Sequence, residues 1–312
     1  MLFFALEIGW SSRIRRRCLH TVYSVAALSL QDLLDNAGPN YSPQSWKGRE
    51  GLVVAPDGLP AREVKAHNIH KAHYIQGYAE IFARAMKNKW DYRCYLDLYC
   101  GPGVCWVKDT GRFVLGSPLI ALSVDSPYTH FAFVDLDTEC TAALEERMVG
   151  ASAEVTVLSK DSNDRATINE VRGAIPDRNA LSLALLDPQG CNLDFETIRY
   201  LTMDKPMDLL INLPVHNLWR CLCKGDTAVL DKVLSRGWPR QTAHNWRASV
   251  REHFHGKLNG IGYKHNEAKQ VWSESKKSPL YDFILYSRVE LAKKFFKEVT
   301  RTTAHQQTTL AV

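Results

Sequence analysis

Residues 95–103, with the sequence YLDLYCGPG, constrain the fold of this chain more than any other stretch. An apolar, strand-like run ends on Asp97, and a Gly-x-Gly turn at Gly101 and Gly103 follows directly. In an open α/β sheet, ligands bind outside the carboxyl ends of strands, where glycine lets the backbone approach a nucleoside. The third glycine of the dinucleotide-binding fingerprint is absent. The stretch therefore predicts a nucleoside site at a strand end, and the alternative interpretation is a tight structural turn.

Strand and helix signals alternate along most of the chain, which predicts a parallel sheet covered by helices on both faces. The predicted strands are 94–98, 130–134, 154–158, 181–186, 207–213 and 281–286, and the predicted helices are 63–89, 117–123, 138–148, 163–174, 194–202, 215–234 and 289–299. Ser117 is expected to cap its helix, with Pro118 at the first helical position. We expect an α/β, Rossmann-like, doubly wound domain over residues 61–312, preceded by an N-terminal helical extension within residues 1–60.

The composition favours an ordinary globular protein with reduced cysteines. The 312 residues are 45% hydrophobic, and a formal net charge of +5 permits an anionic partner without requiring one. The eight cysteines form no Cys-x-x-Cys pair, so we expect neither disulfides nor a zinc site, and a cytoplasmic location. His67, His70 and His73 lack a carboxylate that would complete a metal site. We expect no secretion signal and no membrane span.

Polar side chains follow successive predicted strands. Asp97 and its glycine turn suit the amino-acid part of a cofactor. Asp135, with Asp137 close by, could accept hydrogen bonds from ribose hydroxyls, and Asp161 with Ser162 could meet an adenine amine. The candidate cofactor-binding residues are Asp97, Tyr99, Gly101, Gly103, Asp135, Asp161 and Ser162. Since parallel strands end at one edge of a sheet, we expect one nucleoside pocket. The alternative interpretation is that these acids are structural.

The spacing Asp-x-Tyr-x-Gly-x-Gly resembles the first motif of class I S-adenosyl-L-methionine (SAM) methyltransferases. Over residues 52–300 the chain also resembles the three-Cys-motif partner protein (TcmP) family. The most specific match pairs GPG at 101–103 with GSPLIAL at 116–122, and LDPQG at 186–190 also matches. The resemblance implies a methyltransferase-like Rossmann domain with SAM as cofactor, and a partner protein that carries a three-cysteine motif. Residues 104–115 separate the two glycine motifs, and this loop is either a cover for the cofactor or a decoration.

Asp187 and Asn212, at the ends of the fourth and fifth predicted strands, are the candidate catalytic residues. Methyl transfer needs alignment of donor and acceptor and a route for one proton. Asp187 could orient an acceptor amine or hydroxyl, and Asn212 offers a carbonyl acceptor and an amide donor. Gln189 and Gly190 stand where base-methylating enzymes carry proline and a stacking aromatic residue. This departure disfavours adenine-N6 chemistry.

Residues 236–277 form a basic segment interspersed with tryptophan and tyrosine. This combination is typical of proteins that bind flexible nucleic acid. The predicted contacts are Arg240, Arg247, Arg251 and Trp246. The alternative interpretation is an insertion with a solvated charged face and a small aromatic core.

Three functions remain open at the level of sequence. The preferred function is a SAM-dependent methyltransferase, with nucleic acid as one candidate acceptor. The second is a Rossmann-like accessory module that has lost catalysis and works with a three-Cys-motif partner protein. A magnesium-dependent nuclease that uses the strand-end aspartates is disfavoured, because no Walker-type lysine motif accompanies them.

Overall fold

A computed structural model of the chain describes residues 30, 32–35, 41–239, 245–273 and 278–301. The strands are β1 (Leu52–Val54), β2 (Pro60–Val64), β3 (Tyr92–Asp97), β4 (Val104–Val107), β5 (Arg112–Leu115), β6 (His130–Asp135), β7 (Glu154–Ser159), β8 (Ala180–Leu186), β9 (Met207–Leu213), β10 (His265–Ser273) and β11 (Ser278–Ser287). The helices are α1 (His67–Met86), α2 (Ser117–Leu122), α3 (Thr138–Arg147), α4 (Arg165–Gly173), α5 (Phe195–Leu201), α6 (Val215–Lys224), α7 (Thr227–Leu234), α8 (Trp246–Gly260) and α9 (Glu290–Arg301).

The described chain is organised around a seven-stranded sheet in the order β10-β11-β9-β8-β3-β6-β7. Strands β3, β6, β7, β8 and β9 run parallel to one another, whereas β11 lies antiparallel between β9 and β10. All five parallel strands were predicted from their apolar runs. The sheet confirms the predicted doubly wound α/β class.

Each face of this sheet buries its own hydrophobic core, because successive side chains of a strand point to opposite faces. Tyr95 of β3 packs with α1, α2 and α9, and its neighbour Leu96 packs with α4 to α8. Leu34, from the N-terminal part of the chain, is buried in the first core. The two covered faces leave the strand ends as the main polar edge of the sheet.

A second, smaller sheet was not predicted. Its order is β1-β2-β4-β5, and β2 pairs in parallel with β4, so that Arg62 lies opposite Cys105. The predicted start of a helix at residue 63 is therefore wrong, and α1 begins at His67. Residues 104–115 form the hairpin of β4 and β5. This sheet makes the segment that contains residues 52–64 part of the wall around the strand ends.

The predicted helix over residues 215–234 is two helices. Gly225 ends α6 in the left-handed conformation, with φ of 74°. Asp226 then caps α7, since its side chain accepts a hydrogen bond from the Val229 N–H. The left-handed backbone and the new cap together break the helical run.

The basic and aromatic segment contributes to the central sheet. Residues 245–273 build α8 and β10, and Arg240 lies outside the described residues. Trp246 is 2% exposed, packs against Trp219 and donates its indole N–H to the Pro239 carbonyl at 3.0 Å. Trp246, which was predicted to contact nucleic acid, is instead buried in the core and offers no accessible face, while nucleic acid as a partner stays a prediction.

The two basic residues predicted with Trp246 also occupy defined places. Arg251 pairs with the fully buried carboxylate of Asp282 at 2.7 Å, and Arg247 is half-buried. Arg251 therefore compensates a buried charge.

Among the described residues, no helix is both long and apolar enough to cross a membrane.

Arg147 ties the N-terminal segment to the glycine turn. Its guanidinium is 2% exposed and forms two hydrogen bonds to Asp57, at 2.7 and 2.9 Å. The same group donates to the carbonyls of Pro60 and Pro102. One buried cation therefore connects the chain before β2, the end of α3 and the turn after β3.

We predict that Arg147→Ala lowers the free energy of unfolding by about 3–5 kcal/mol, because it leaves the Asp57 carboxylate without its buried partner. Urea denaturation measures this change. The matched control is Arg199→Ala, which removes an exposed pair with Glu196 and should change stability by about 0.5 kcal/mol or less. Equal losses in the two variants would contradict the assigned role of Arg147.

Candidate active site

A cleft of about 1500 Å³ runs along the carboxyl edge of the central sheet. The turn after β3 forms part of its floor, and residues that follow β6, β7, β8 and β9 line its length. The second sheet and the first turns of α1 form the opposite wall. Such a volume exceeds that of an ordinary small-molecule pocket of ~300–1,000 Å³. The cleft can therefore hold two ligands side by side.

The two glycine motifs meet at the floor of this cleft. Gly103 has a φ of 83°, and a Cβ there would lie 2.9 Å from Leu144 Cδ1. The Gly116 N–H donates to the Gly103 carbonyl at 2.7 Å, and a Cβ on Gly116 would lie 3.0 Å from the Gly103 backbone. Glycine is required at position 103 by the left-handed φ and the Leu144 contact, and at position 116 by the close approach of the Gly103 backbone.

Asp97 lies beneath the turn and does not line the cleft. Its side chain is fully buried, with Oδ1 accepting from the Tyr99 N–H at 3.1 Å and Oδ2 from the Ser117 hydroxyl at 2.6 Å. Ser117 is therefore not the helix cap that was predicted, and Gly116 occupies the cap position of α2. The structure places Asp97 as a support for the turn rather than in contact with the cleft.

Burial raises the pKa of Asp97 to about 7, against the two hydrogen bonds that lower it. Because the pKa of Asp97 is higher in the folded state than the unfolded value of 3.8, the protonated carboxyl stabilises the fold. This stabilisation is fully present below pH 3.8 and is lost as the pH rises through about 7.

We predict that the wild-type protein loses roughly 2–4 kcal/mol more stability than Asp97→Asn between about pH 4 and pH 8. The asparagine keeps an acceptor for Tyr99 or Ser117 but carries no charge at any pH. Urea unfolding of both proteins across this range measures the difference. Parallel pH profiles would show that the Asp97 carboxyl does not titrate in this way.

Asp135, at the end of β6, also holds the turn. Its Oδ2 accepts from the Gly101 N–H at 2.9 Å, and its Oδ1 accepts from the Asp137 N–H at 2.9 Å. The Arg62 guanidinium lies 3.8 Å from Oδ2. Asp135 lines the cleft, and each of its oxygens has a further lone pair for a ligand hydroxyl.

Asp137 is bound by Arg49, which forms two hydrogen bonds to it at 3.1 and 2.6 Å and a third to Glu139. Arg49 lies in the segment before β1 and lines the cleft. The segment therefore brings a cation to the acidic start of α3.

Leu136 stands between these two acids and was not predicted as a site residue. It lines the cleft, yet its side chain is 71% exposed. A large apolar side chain exposed inside a polar cleft is typical of a position that a ligand covers.

The residues after β7 lie at the same end of the cleft. Asp161 is exposed, and its Oδ1 accepts from the Asn163 N–H at 2.8 Å. Ser162 is 4% exposed, and its hydroxyl donates to the Leu98 carbonyl. The Ser162 side chain is therefore used within the fold, whereas the Asp161 carboxylate is accessible from the cleft.

Asp187 and Asn212 contact each other at the other end. Asn212 Nδ2 donates to Asp187 Oδ1 at 2.8 Å. Lys71 of α1 donates to Asp187 Oδ2 at 2.5 Å, and both charged side chains are largely buried, at 14% and 18% exposure. The ring of Tyr281, from β11, lies 5.9 Å from the Lys71 ammonium. Asp187 is thus a compensated carboxylate with a donor on each oxygen.

Tyr99 and Gln189 complete the floor between the two ends. The Tyr99 hydroxyl donates to the Asn192 carbonyl at 3.2 Å. With its amide oxygen turned towards Arg62, Gln189 accepts from Nε at 3.3 Å and from Nη1 at 3.1 Å. Arg62 therefore bridges the ends of β6 and β8 across the cleft.

The sequence analysis missed site residues that do not directly follow one of the predicted parallel strands. Arg62 lies on the second sheet, and Lys71 lies on α1 rather than after a strand. Tyr281 is on the antiparallel strand β11, which the chain inserts beside β9 long after that strand has ended. Among the described residues, no group of three or more His, Cys, Asp or Glu side chains is arranged to hold a metal ion.

No protein-family model matches the sequence, and no curated protein matches it. The similarity to the TcmP family therefore stays a prediction.

The solved structures that resemble the fold include protein LPL1258 from Legionella pneumophila. It is 13% identical over 73% of this chain and 91% of that chain, with a TM-score of 0.47.

Two further structures are the O-methyltransferase from Bacillus cereus in complex with SAH and M. jannaschii TYW2 in complex with AdoMet. The first is 8% identical over 70% of this chain and 80% of that chain, with a TM-score of 0.42. The second is 10% identical over 78% of this chain and 89% of that chain, with a TM-score of 0.39.

The strand order itself assigns the fold class. The chain forms a doubly wound, mostly parallel α/β sheet whose strand order reverses beside β3, with the antiparallel strand β11 inserted between β9 and β10. The cleft lies at the carboxyl edge, where β3 neighbours β6 on one side and β8 on the other. Ligands of open α/β sheets bind at this switch point.

Proposed function

We propose that the protein is a SAM-dependent methyltransferase. The observation that carries the proposal is the exposed Leu136, set between two strand-end acids beside a glycine turn. An apolar side chain flanked by hydrogen-bond acceptors suits the face of a purine and the hydroxyls of its ribose. The fold class and the cleft volume support the same ligand.

Each part of SAM has matching residues along the cleft. The backbone of the glycine turn and the Arg62 guanidinium would hold the amino-acid end, because a guanidinium binds a carboxylate well. Asp135 would accept from the ribose, and Leu136 with Asp161 would meet the adenine. Asp97 and the Ser162 hydroxyl, which were predicted to contact the cofactor, would instead act indirectly, because each forms a hydrogen bond to the backbone beside the cleft.

Bound SAM supplies an electrophilic methyl group on a sulfonium. The chain then has to align an acceptor and keep it close to that group, which is a contribution of geometry rather than of covalent chemistry. Asp187, Asn212 and Lys71 are placed for this role at the end of the cleft away from Leu136.

We predict that Leu136→Ala weakens the binding of S-adenosylhomocysteine about 10-fold, since the loss of a partly buried leucine face amounts to about 1.4 kcal/mol. The thermal stability should not change, because the side chain is exposed. Val149→Ala is the matched control: Val149 is 77% exposed beyond the other end of α3 and does not line the cleft. Isothermal titration calorimetry measures both affinities.

Absence of any binding of SAM or S-adenosylhomocysteine to the wild-type protein would overturn the proposal. An equal affinity of Leu136→Ala and Val149→Ala would overturn the placement of the adenine. Incorporation of a labelled methyl group into an acceptor would extend the result from binding to catalysis.

A second candidate function is a binding module without catalysis, working with a three-Cys-motif partner protein. The ion pair of Asp187 with Lys71 favours it, because the carboxylate is already charge-compensated and hydrogen-bonded on both oxygens within the fold. This module would retain SAM without transferring its methyl group. Nucleic acid as the acceptor stays a proposal that rests on the net positive charge, since Trp246 is buried.

A further inference from the structure

Two buried polar atoms, on residues that line the cleft, have no hydrogen-bond partner within the part of the chain that the structure describes. They are Asn212 Oδ1 and the Tyr281 hydroxyl oxygen. The two residues are 8% and 7% exposed, and both line the cleft. Buried polar atoms are nearly always paired, because an unpaired one destabilises the fold. Two such atoms on one wall of the cleft point to a ligand that completes them.

The orientation of the Asn212 amide is fixed by its neighbours. Because Nδ2 donates to Asp187 Oδ1, the amide oxygen is directed away from that carboxylate. Asp187 is in turn held by Lys71 on its other oxygen. Asn212 Oδ1 is therefore a preorganised acceptor, and the negative charge beside it is already compensated.

The Tyr281 hydroxyl is equally constrained. The rings of Tyr281 and His67 pack edge to face, with their centroids 5.8 Å apart. The Lys71 ammonium lies 5.9 Å from the centroid of the Tyr281 ring. Burial, followed by the charge of Asp187, holds the pKa of Tyr281 well above its usual value. The hydroxyl is thus neutral at physiological pH and can donate or accept.

The two side chains lie on one face of neighbouring strands. Asn212 of β9 is opposite Phe283 of β11, and Tyr281 is two residues further along β11. Such diagonal neighbours are about 7–8 Å apart in a sheet. The two side chains therefore project from the same face of the sheet, on adjacent strands at the edge of the cleft.

We propose that Asn212 Oδ1 and the Tyr281 hydroxyl form the acceptor subsite, and that they bind a neutral amide-type edge. The substrate donates an N–H to Asn212 and accepts from Tyr281. A carboxylate is disfavoured because it has no hydrogen for Asn212 Oδ1. A cation is disfavoured because Lys71 already occupies Asp187. The role as a methyl acceptor rests on the proposed methyltransferase function.

In that reaction the acceptor nitrogen forms its bond to the methyl carbon as its N–H bond breaks, because the lone pair of an amide-type nitrogen is delocalised and the electrons of the N–H bond are needed. The electrons of the methyl–sulfur bond remain on sulfur, and the proton displaced from nitrogen passes to water at the mouth of the cleft. Asn212 and Tyr281 then position the nitrogen without themselves taking up charge.

Three probes of the same shape test the subsite: benzamide is neutral, benzoate is an anion and benzamidine is a cation. We expect the wild-type protein to bind benzamide at least ten-fold more tightly than the other two at equal ionic strength. Chemical-shift titration measures these affinities. Equal affinities, or a preference for a charged probe, would overturn the proposal.

Tyr281→Phe separates a ligand-binding role from a structural one. Removal of an unpaired buried hydroxyl should leave the melting temperature unchanged or higher, while benzamide binds at least five-fold more weakly. Tyr95→Phe is the matched control, because the Tyr95 hydroxyl is also buried without a partner among the described residues but does not line the cleft. It should leave the affinity for benzamide unchanged. A lower melting temperature or an unchanged affinity in Tyr281→Phe would refute the assignment.

Titration of S-adenosylhomocysteine into the same wild-type protein distinguishes the two proposals. Selective benzamide binding without S-adenosylhomocysteine binding would retain the amide subsite and reject the methyltransferase. S-adenosylhomocysteine binding without selectivity among the probes would retain the methyltransferase and reject the subsite.

Discussion

Carboxylates that accept backbone N–H groups fix the turn on which the cleft depends. Asp97 and Asp135 end the adjacent parallel strands β3 and β6, and they bind the N–H groups of Tyr99 and Gly101. The turn then carries Gly103 into contact with Gly116, which sets where α2 begins. Without these bonds the turn would have unpaired N–H groups in a buried setting. The floor of the cleft is thus a consequence of two strand-end acids.

The N-terminal part of the domain supplies cations to the acidic edge. Arg49 binds Asp137, Arg62 approaches Asp135, and Lys71 binds Asp187. Parallel strands collect their ends at one edge, so acids that are far apart in sequence would repel one another there. The segment before β1, the second sheet and α1 relieve this repulsion because they place a positive group beside each of these three carboxylates. The resulting cleft is polar, and the charges of these three acids are compensated within the fold.

Much of the central sheet follows from local sequence. Buried parallel strands are short apolar runs, and the polar or glycine residues at their ends mark where they stop. Strand β10 and the second sheet lack this signal, since their pairing depends on distant partners. Distant contacts also decide the place of Trp246 in the basic segment. The local sequence around Trp246 is typical of a binding surface, but its packing against Trp219 buries the side chain in the core.

The sequence alone determined the alternation of strands and helices, the glycine turn after β3 and the acids that end the parallel strands. These features depend on neighbours within a few residues, which set local backbone geometry and amphipathic pattern. The tertiary structure decided that Asp97 supports the turn from below and that Lys71 neutralises Asp187. It also placed Asn212 and Tyr281 on one face of neighbouring strands, with Asn212 Oδ1 unpaired among the described residues. Such relations depend on contacts between residues separated by many positions in the chain, and only strand order and helix packing bring those residues together.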